Sequence, residues 1–245
     1  NYGTLPTSSR TGYSFSGWRT AADGGGTLVE STTTVTAVSD HTLYAHWEPN
    51  TYSVSFSAQG GTTANPAFKM VDYATTYGTL ATTSRTGYTF SGWFTQTGGA
   101  GTEITDASTM NTAANHTLYA YWVANDYTVS YETYGGSTHA DVIVTFDDTY
   151  GTLPTPTRSG WTFGGWGTSA YGAGTEITAG SIVSTAANHT LYAQWTATVT
   201  FDDGGGTGLE FTSVELEYPD LIVEDLPTPP TKSNYSFVGW STQVS

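Results

Sequence analysis

The sequence has no cysteine and no long apolar run. None of its 245 residues is cysteine, which excludes disulfides and cysteine-based metal sites. Small secreted domains of animal type usually depend on disulfides, so the composition fits a bacterial or archaeal surface protein better. A run of about 18 apolar residues, which a membrane-spanning helix requires, is also missing. We therefore predict no membrane insertion.

Basic residues are scarce. Six Lys and Arg stand against 21 Asp and Glu, for a net charge of −15. Proteins that bind nucleic acids or anionic membranes rely on Lys and Arg to neutralise phosphates. We therefore predict no nucleic-acid partner, and we assign the acidic excess to keeping a surface rich in Thr, Ser and Gly in solution.

A repeated aromatic block is what the sequence has in abundance. Residues 86–93 (TGYTFSGW) recur with small changes at 11–18, 159–166 and 233–240, and the closing tryptophans lie 75, 73 and 74 residues apart. A second block, residues 116–122 (HTLYAYW), recurs at 41–47 and 189–195. A fixed period of this length indicates a tandem array of one small folding unit.

The spacing predicts four repeats of about 74 residues. Residues 1–49 form a partial repeat without its first hairpin, 50–123 and 124–196 are complete, and 197–245 form a partial repeat without its last strand. The linkers at 48–50, 124–126 and 196–197 are only two or three residues long. Joints this short predict an elongated, semi-rigid rod in which each unit contacts only its neighbours. Because the chain opens in mid-repeat, we expect its true N-terminus elsewhere.

Alternating side chains predict a mainly β fold. Tyr88, Phe90 and Gly92 fall on one face of a strand, with Thr89, Ser91 and Trp93 on the other. The glycine before each tryptophan makes room for a neighbouring backbone or marks a bulge. Residues 106–114 are the one segment where a short helix is expected.

The recurring aromatic and leucine positions predict the core of each repeat. A buried aromatic hides roughly 150–250 Å², or on the order of 4–6 kcal/mol of transfer free energy. In so small a unit this favours an interior role over an exposed ligand platform. The predicted core residues are Trp18, Trp47, Trp93, Trp122, Trp166, Trp195, Trp240, Phe15, Phe90, Phe163, Tyr13, Tyr88, Leu43, Leu118 and Leu191.

Two polar positions also recur once per repeat. His41, His116 and His189 each precede Thr-Leu-Tyr-Ala, and this register favours a turn or strand-end role over catalysis. The second position holds a cation, for which we prefer stacking on a repeat aromatic or pairing with an acid over anion binding. It is occupied by Arg10, Arg85, Arg158 and Lys232.

Nothing in the sequence predicts a metal, a cofactor or catalysis. Asp147-Asp148 and Asp202-Asp203 lack the alternating carboxylates of a calcium loop. Asn115, Asn188 and Asn234 open N-glycosylation sequons, but such matches arise easily in a threonine-rich chain. We find no nucleophile elbow, P-loop, dinucleotide fingerprint or paired-carboxylate signature, and predict that the chain is not an enzyme.

The motifs together resemble a known repeat family. The Phe-x-x-x-Gly-Gly hairpin, the run at residues 150–166 (YGTLPTPTRSGWTFGGW) and the closing His-Thr-Leu-Tyr-Ala-x-Trp are similar to the Listeria–Bacteroides repeat, also called the internalin B-repeat. The resemblance implies a β-grasp, ubiquitin-like unit. It also implies a place in large secreted or cell-wall-attached proteins, as a spacer or adhesive arm.

Three functions remain open at this point. The first is an extracellular structural stalk or adhesive spacer, whose partners are its neighbouring repeats. The second is a surface module that binds a glycan or a protein through outward tyrosines such as Tyr44, Tyr119 and Tyr192. The third is a filament subunit that assembles with other copies of itself, because residues 198–218 could supply the hairpin that the first repeat lacks.

Overall fold

The computed structural model describes residues 1–210, 212–219 and 226–241, and the regular secondary structure of these residues is almost entirely β. The mainly β, tandem-repeat fold class is therefore confirmed, whereas the β-grasp assignment stays a prediction. The chain divides into two compact units, Asn1–Val123 and Ala124–Ser245, and each is described by itself.

The first unit contains two sheets. The first repeat forms a three-stranded sheet in the order β2-β1-β3. Its strands are β1 (Tyr13–Arg19), β2 (Leu28–Val29) and β3 (Tyr44–Pro49). The second repeat forms a five-stranded sheet in the order β5-β4-β8-β6-β7. Its strands are β4 (Thr51–Ser57), β5 (Phe68–Asp72), β6 (Tyr88–Phe94), β7 (Glu103–Ile104) and β8 (His116–Ala124).

In the described residues of the second unit the strands form one sheet, in the order β10-β9-β13-β11-β12, with β14 also paired to β13. Its strands are β9 (Asp126–Glu132), β10 (Val142–Thr145), β11 (Thr162–Gly167), β12 (Glu176–Ile177), β13 (His189–Thr200) and β14 (Ser213–Glu217). In both complete repeats the opening strand runs antiparallel to its hairpin partner and parallel to the closing strand. The opening hairpin thus continues the sheet that the two aromatic blocks begin.

Each complete repeat closes one hydrophobic core between its opening and closing strands. In the second repeat Val54, Met110 and Leu118 are fully buried around Trp93. In the third repeat Val129 and Leu191 are fully buried around Trp166. The core side chains alternate along β4 and β8, which follows from the two-residue period of a strand.

Gly17 and Gly165, each directly before a tryptophan, mark β-bulges, and the simple alternation predicted for this block is wrong. The β1–β3 register shifts between Phe15 and Gly17, and the β11–β13 register shifts between Phe163 and Gly165. Gly92 has φ 144°, a backbone conformation that side chains other than glycine rarely adopt. The extra residue returns the tryptophan to the phenylalanine face. The Phe90 and Trp93 rings likewise lie 5.5 Å apart rather than on opposite faces.

The helix expected at residues 106–114 is also wrong. In the part of the chain that the structure describes, helical turns are confined to two short 3₁₀ segments, Thr97–Gly99 and Ala170–Gly172. Met110 N–H instead donates to Thr75 O at 2.8 Å, and Ala74 N–H donates to Met110 O at 2.9 Å. Its backbone groups are thus satisfied by a distant segment, so the local pairs of a helix are not formed.

The linker expected at residues 196–197 is absent, because β13 runs without a break from the third repeat into the fourth. Phe56 lies nine residues after Trp47 and Tyr131 nine after Trp122, whereas Phe201 lies only six after Trp195. With three residues fewer, the closing strand of one repeat becomes the opening strand of the next. The boundaries of the four repeats themselves stay a prediction.

Candidate functional site

The predicted core residues do not all lie equally deep. Trp93 and Trp166 are each 2% exposed, whereas the tryptophans of the two partial repeats are only half-buried. Phe90 was expected inside but is 37% exposed, because it covers the edges of Trp93 and Trp122 instead of lying beneath them. The other buried members are Trp122, Trp195, Leu118 and Leu191, and the half-buried ones are Trp18, Trp47, Trp240, Phe15, Phe163, Tyr13, Tyr88 and Leu43.

Indole N–H groups fasten the tryptophans to backbone carbonyls. Trp93 Nε1 donates to Ala81 O at 2.9 Å, in the loop that leads to its own strand. Trp122 Nε1 donates to Ala58 O at 2.8 Å, and Trp195 Nε1 donates to Thr133 O at 2.9 Å. Both of these last acceptors lie at the turn of an opening hairpin. A buried indole usually finds such an acceptor, and here the bond ties the last strand of a repeat to its first hairpin.

Each repeated histidine pairs with a tyrosine 39 residues earlier. Tyr77 Oη lies 2.9 Å from His116 Nε2, and His116 Nδ1 lies 3.0 Å from Ala114 O. A carbonyl only accepts, so Nδ1 carries the proton and Nε2 accepts the tyrosine O–H. The same arrangement joins Tyr150 to His189. The strand-end role is confirmed for His116 and His189, which open β8 and β13, whereas His41 lies before the start of β3 at Tyr44.

The recurring cations stack on aromatic rings, as predicted. The charged group lies 4.0 Å from the ring centroid of Tyr13 for Arg10, and 3.6 Å from that of Tyr88 for Arg85. Arg158 lies 4.7 Å from Trp161, and Lys232 lies 5.1 Å from Tyr235. In every case the ring belongs to the residue three positions later. Since the cation covers an aromatic of its own repeat, an anion-binding role is disfavoured.

Asn50 joins the first repeat to the second. Its N–H donates to Gly12 O at 2.9 Å, and its carbonyl accepts from Tyr73 N–H at 2.9 Å. The Tyr73 ring lies directly on Gly12, where an added Cβ would come within 2.4 Å of it. The same ring meets Tyr13 edge-on at 5.5 Å. A side chain at position 12 would therefore push the two repeats apart.

The joint between the third and fourth repeats uses Tyr218 in the same way. Tyr218 N–H donates to Trp195 O at 2.9 Å. Its ring packs at 5.9 Å against Trp161 and at 5.3 Å against Tyr134. Arg158 lies 4.4 Å from the same ring and so contacts both repeats. Aromatic rings make these contacts across the joint, so some of the recurring rings serve the joint and not a core.

Sequence reasoning missed the asparagines that hold the opening strands. Asn115 Oδ1 accepts Ser53 N–H at 2.8 Å, and Asn188 Oδ1 accepts Thr128 N–H at 2.9 Å. Both residues had been noted only as sequon openings. Their position directly before the repeated histidine was the one available signal, and it does not identify a partner about 60 residues away.

The acidic pairs act as turn residues. Asp202 accepts Gly204 N–H and Asp203 accepts Gly205 N–H, each at 2.9 Å, and Asp148 accepts Thr149 N–H at 2.7 Å. Among the described residues, no group of three or more His, Cys, Asp or Glu side chains is placed to hold a metal ion. Within the same residues, no helix is long and apolar enough to cross a membrane.

The outward tyrosines of the closing strands differ in their surroundings. Tyr44 is 42% exposed, whereas Tyr119 and Tyr192 are half-buried. Tyr192 alone joins a larger group, since its ring stacks on Tyr134 at 6.2 Å.

Comparison with known proteins gives a consistent result. The family model of the Listeria-Bacteroides repeat domain matches residues 1–46, 52–121, 127–194 and 198–245. A putative Gly-rich membrane protein of Evansella cellulosilytica is 35% identical over 94% of this chain and 26% of its own length. A putative membrane protein of the same organism is 29% identical over 82% of this chain and 30% of its own length. Internalin H of Listeria monocytogenes is 35% identical over 46% of this chain and 20% of its own length. The chain thus spans less than a third of each of these relatives.

Proposed function

Because the chain belongs to the Listeria-Bacteroides repeat domain family, we propose that it is a non-enzymatic structural repeat region of an extracellular cell-surface protein. Its relatives support this, since one carries the name internalin and two are described as membrane proteins. The chain occupies only part of their length, as a spacer between other modules would.

One observation carries the proposal: the recurring polar and aromatic side chains are engaged within the array. The repeated histidines accept a tyrosine O–H, and the repeated cations cover a ring. Asn50 and Tyr73 are occupied by the joint between two repeats. A catalytic group copied into every unit would serve no purpose, whereas a holding contact must be copied into every unit.

Surface labelling of intact cells of the source organism tests the location. An antibody raised against the 245-residue chain is expected to label unpermeabilised cells, and external protease is expected to remove that label. Labelling that appears only after permeabilisation would contradict the proposal. A cytoplasmic protein labelled in parallel controls for cell integrity.

The elongated rod stays a prediction, which small-angle scattering of the purified chain tests. Short linkers predict an extended particle with a maximum dimension well above that of a sphere of the same mass. A compact particle would argue against a spacer. The adhesive and filament roles likewise stay predictions, and the intact mass of the native protein separates a filament subunit of this length from a longer array.

A further inference from the structure

The third repeat carries an open groove of about 210 Å³ on the outer side of β11. Its floor is mostly backbone, because four consecutive positions hold Gly164, Gly165, Trp166 and Gly167. The walls are formed by Gly172, Gly174, Glu176 and Gln194.

The second repeat fills the corresponding space with two rings. There Phe94 and Tyr121 meet edge-on, with centroids 5.7 Å apart. At the same two positions the third repeat has Gly167 and Gln194, and a Cβ added to Gly167 would come within 2.9 Å of the Gln194 amide nitrogen. The third repeat therefore lacks both of the aromatic side chains that meet at this place in the second repeat.

One polar side chain of the groove, Gln194, is fixed in place. Gln194 Nε2 donates to Tyr192 O at 3.0 Å and to Ser169 O at 3.4 Å, which holds the amide plane. Its Oε1 then lies over Gly172, 3.5 Å from where a Cβ would stand, and Glu176 Oε1 lies over Gly165 at 3.6 Å by the same measure. The groove thus presents one amide oxygen held in place and one exposed carboxylate above glycine backbone.

An exposed tyrosine lies directly before the lining residue Gly172 in the chain. Tyr171 directly precedes Gly172, is 52% exposed and has φ 58°, where the second repeat places Gly98 at φ 68°. Its ring stacks on Tyr134 at 5.2 Å, and Tyr134 in turn replaces Gln59 of the second repeat. A ring held at a position that suits glycine better is a cost to the fold, which is typical of functional sites.

We propose that this groove binds a single neutral sugar residue of a surface glycan. Carboxylate and amide oxygens accept hydroxyl protons, and the exposed part of Tyr171, directly before Gly172, offers an apolar contact to a sugar ring. An anionic ligand is disfavoured by Glu176 and by the net charge of −15. The volume is below the roughly 300–1,000 Å³ of pockets for drug-sized ligands, so one ring fits better than an extended peptide. The inference rests on the proposed function only in assuming that the chain meets the sugar outside the cell.

Nuclear magnetic resonance of the full chain tests the proposal with defined probes. The methyl glycosides of glucose, galactose, mannose and N-acetylglucosamine are titrated separately against the labelled protein. At least one is expected to shift the Gly172 and Gly174 amides and the Gln194 side-chain amide, with an affinity on the order of millimolar. No shift with any of the four would overturn the proposal. So would a short glycine- and serine-rich peptide that shifts these signals when no sugar does.

A double variant supplies the matched control. Gly167→Phe together with Gln194→Tyr restores the ring pair that the second repeat already carries. Position 167 lies outside the left-handed region, so the larger residue brings no backbone strain. The sugar-induced shifts are expected to disappear, and their persistence would place the binding elsewhere and overturn the proposal.

A second variant guards against misfolding of the first. Tyr171→Gly removes an exposed side chain and introduces the residue found at position 98. It is expected to weaken the sugar-induced shifts and otherwise to change only signals near Tyr134 and Tyr218, on which its ring packs. Undiminished sugar-induced shifts would overturn the proposed contact with Tyr171. If antibody labels the chain on intact cells but no sugar binds, this inference alone is refuted. Labelling only after permeabilisation refutes the proposed location and leaves the titration result standing.

Discussion

The first and second repeats contain the same two aromatic blocks, yet only the second closes a core. Trp93 is 2% exposed, whereas its counterpart Trp18 is half-buried. Both indoles donate to a backbone carbonyl twelve residues earlier, at 2.9 Å and 2.7 Å respectively. Both also meet a phenylalanine at 5.5 Å. The local motif is thus complete in each repeat, and the difference lies outside it.

The opening hairpin accounts for the difference. In the second repeat Phe56 places its ring 4.9 Å from Trp93, and Ala58 O accepts the Trp122 indole N–H. Residues 1–49 include no such hairpin. Among the described residues, Trp47 has no acceptor for its indole N–H. The aromatic motif therefore sets the position of a tryptophan, and a distant strand buries it.

The largest expected effect is the loss of a buried tryptophan. Trp93→Ala should cost about 3–5 kcal/mol, because it leaves a large cavity beneath the sheet. Trp18→Ala should cost clearly less, within the roughly 0.5–3 kcal/mol of ordinary substitutions. Native-state hydrogen exchange, followed at amides of each repeat, measures the two losses of stability separately. Equal losses would show that the missing hairpin does not matter to Trp18.

The bulge glycine should matter in both repeats alike. Gly92→Ala and Gly17→Ala each force a side chain into a rarely allowed conformation, at a cost of about 1–3 kcal/mol. Contacts add to this, since a Cβ would lie 2.9 Å from Glu103 Oε1 in one case and 2.7 Å from Leu28 Cδ1 in the other. Chemical denaturation compares the variants. A tolerant Gly92 would mean that the bulge is not needed to bring Phe90 to Trp93.

The tyrosine–histidine pair should stabilise the second repeat, which closes a core, more than the first repeat, which does not. Tyr77→Phe removes the O–H that His116 Nε2 accepts and should cost about 0.5–1.5 kcal/mol. Tyr2→Phe removes the equivalent bond at the exposed pair with His41, and should change stability by less than about 0.5 kcal/mol. Hydrogen exchange of the amides in each repeat, measured at increasing temperature, distinguishes the two variants. A larger loss from Tyr2→Phe would reverse the comparison.

Alkaline pH should separate the buried tyrosines of the complete repeats. Burial raises the pKa of Tyr77 and Tyr150, and burial together with the neighbouring Tyr171 raises the pKa of Tyr134 to about 12. A raised folded-state pKa stabilises the fold below the unfolded value of 10.0. For Tyr134 that stability is lost as the pH rises through about 12. Absorbance titration of tyrosinate should lose its latest component in Tyr134→Gln, which carries the residue found at Gln59. An unchanged titration curve would contradict this assignment.

The sequence predicted the features that recur within a short span. The tandem period, the cation three residues before a ring and the strand-end histidine each follow from residues that are close in the chain. The bulge was predicted only as one of two roles for glycine. Its consequence, that Phe90 and Trp93 share a face, needs the register between two strands, which a single strand does not contain.

Long-range partners explain the remaining misses. Backbone groups of residues 106–110 pair with residues 74–78, which no local sequence pattern predicts. The fusion of two strands into β13 was visible only as a spacing of six residues between Trp195 and Phe201 where the other repeats have nine. No sequence pattern predicted the groove of the third repeat. Gly167 and Gln194 are informative only when they are compared with Phe94 and Tyr121, the ring pair at the same positions of the second repeat.

Exchange of the tryptophan indole N–H protons tests the central claim most directly. In a spectrum of the indole-labelled full chain, the Trp122 and Trp195 protons should exchange slowly with deuterated solvent, because each is bound to the turn of an opening hairpin. The Trp47 proton should exchange at once. Equal exchange at Trp47 and Trp122 would contradict the claim that the opening hairpin closes each repeat.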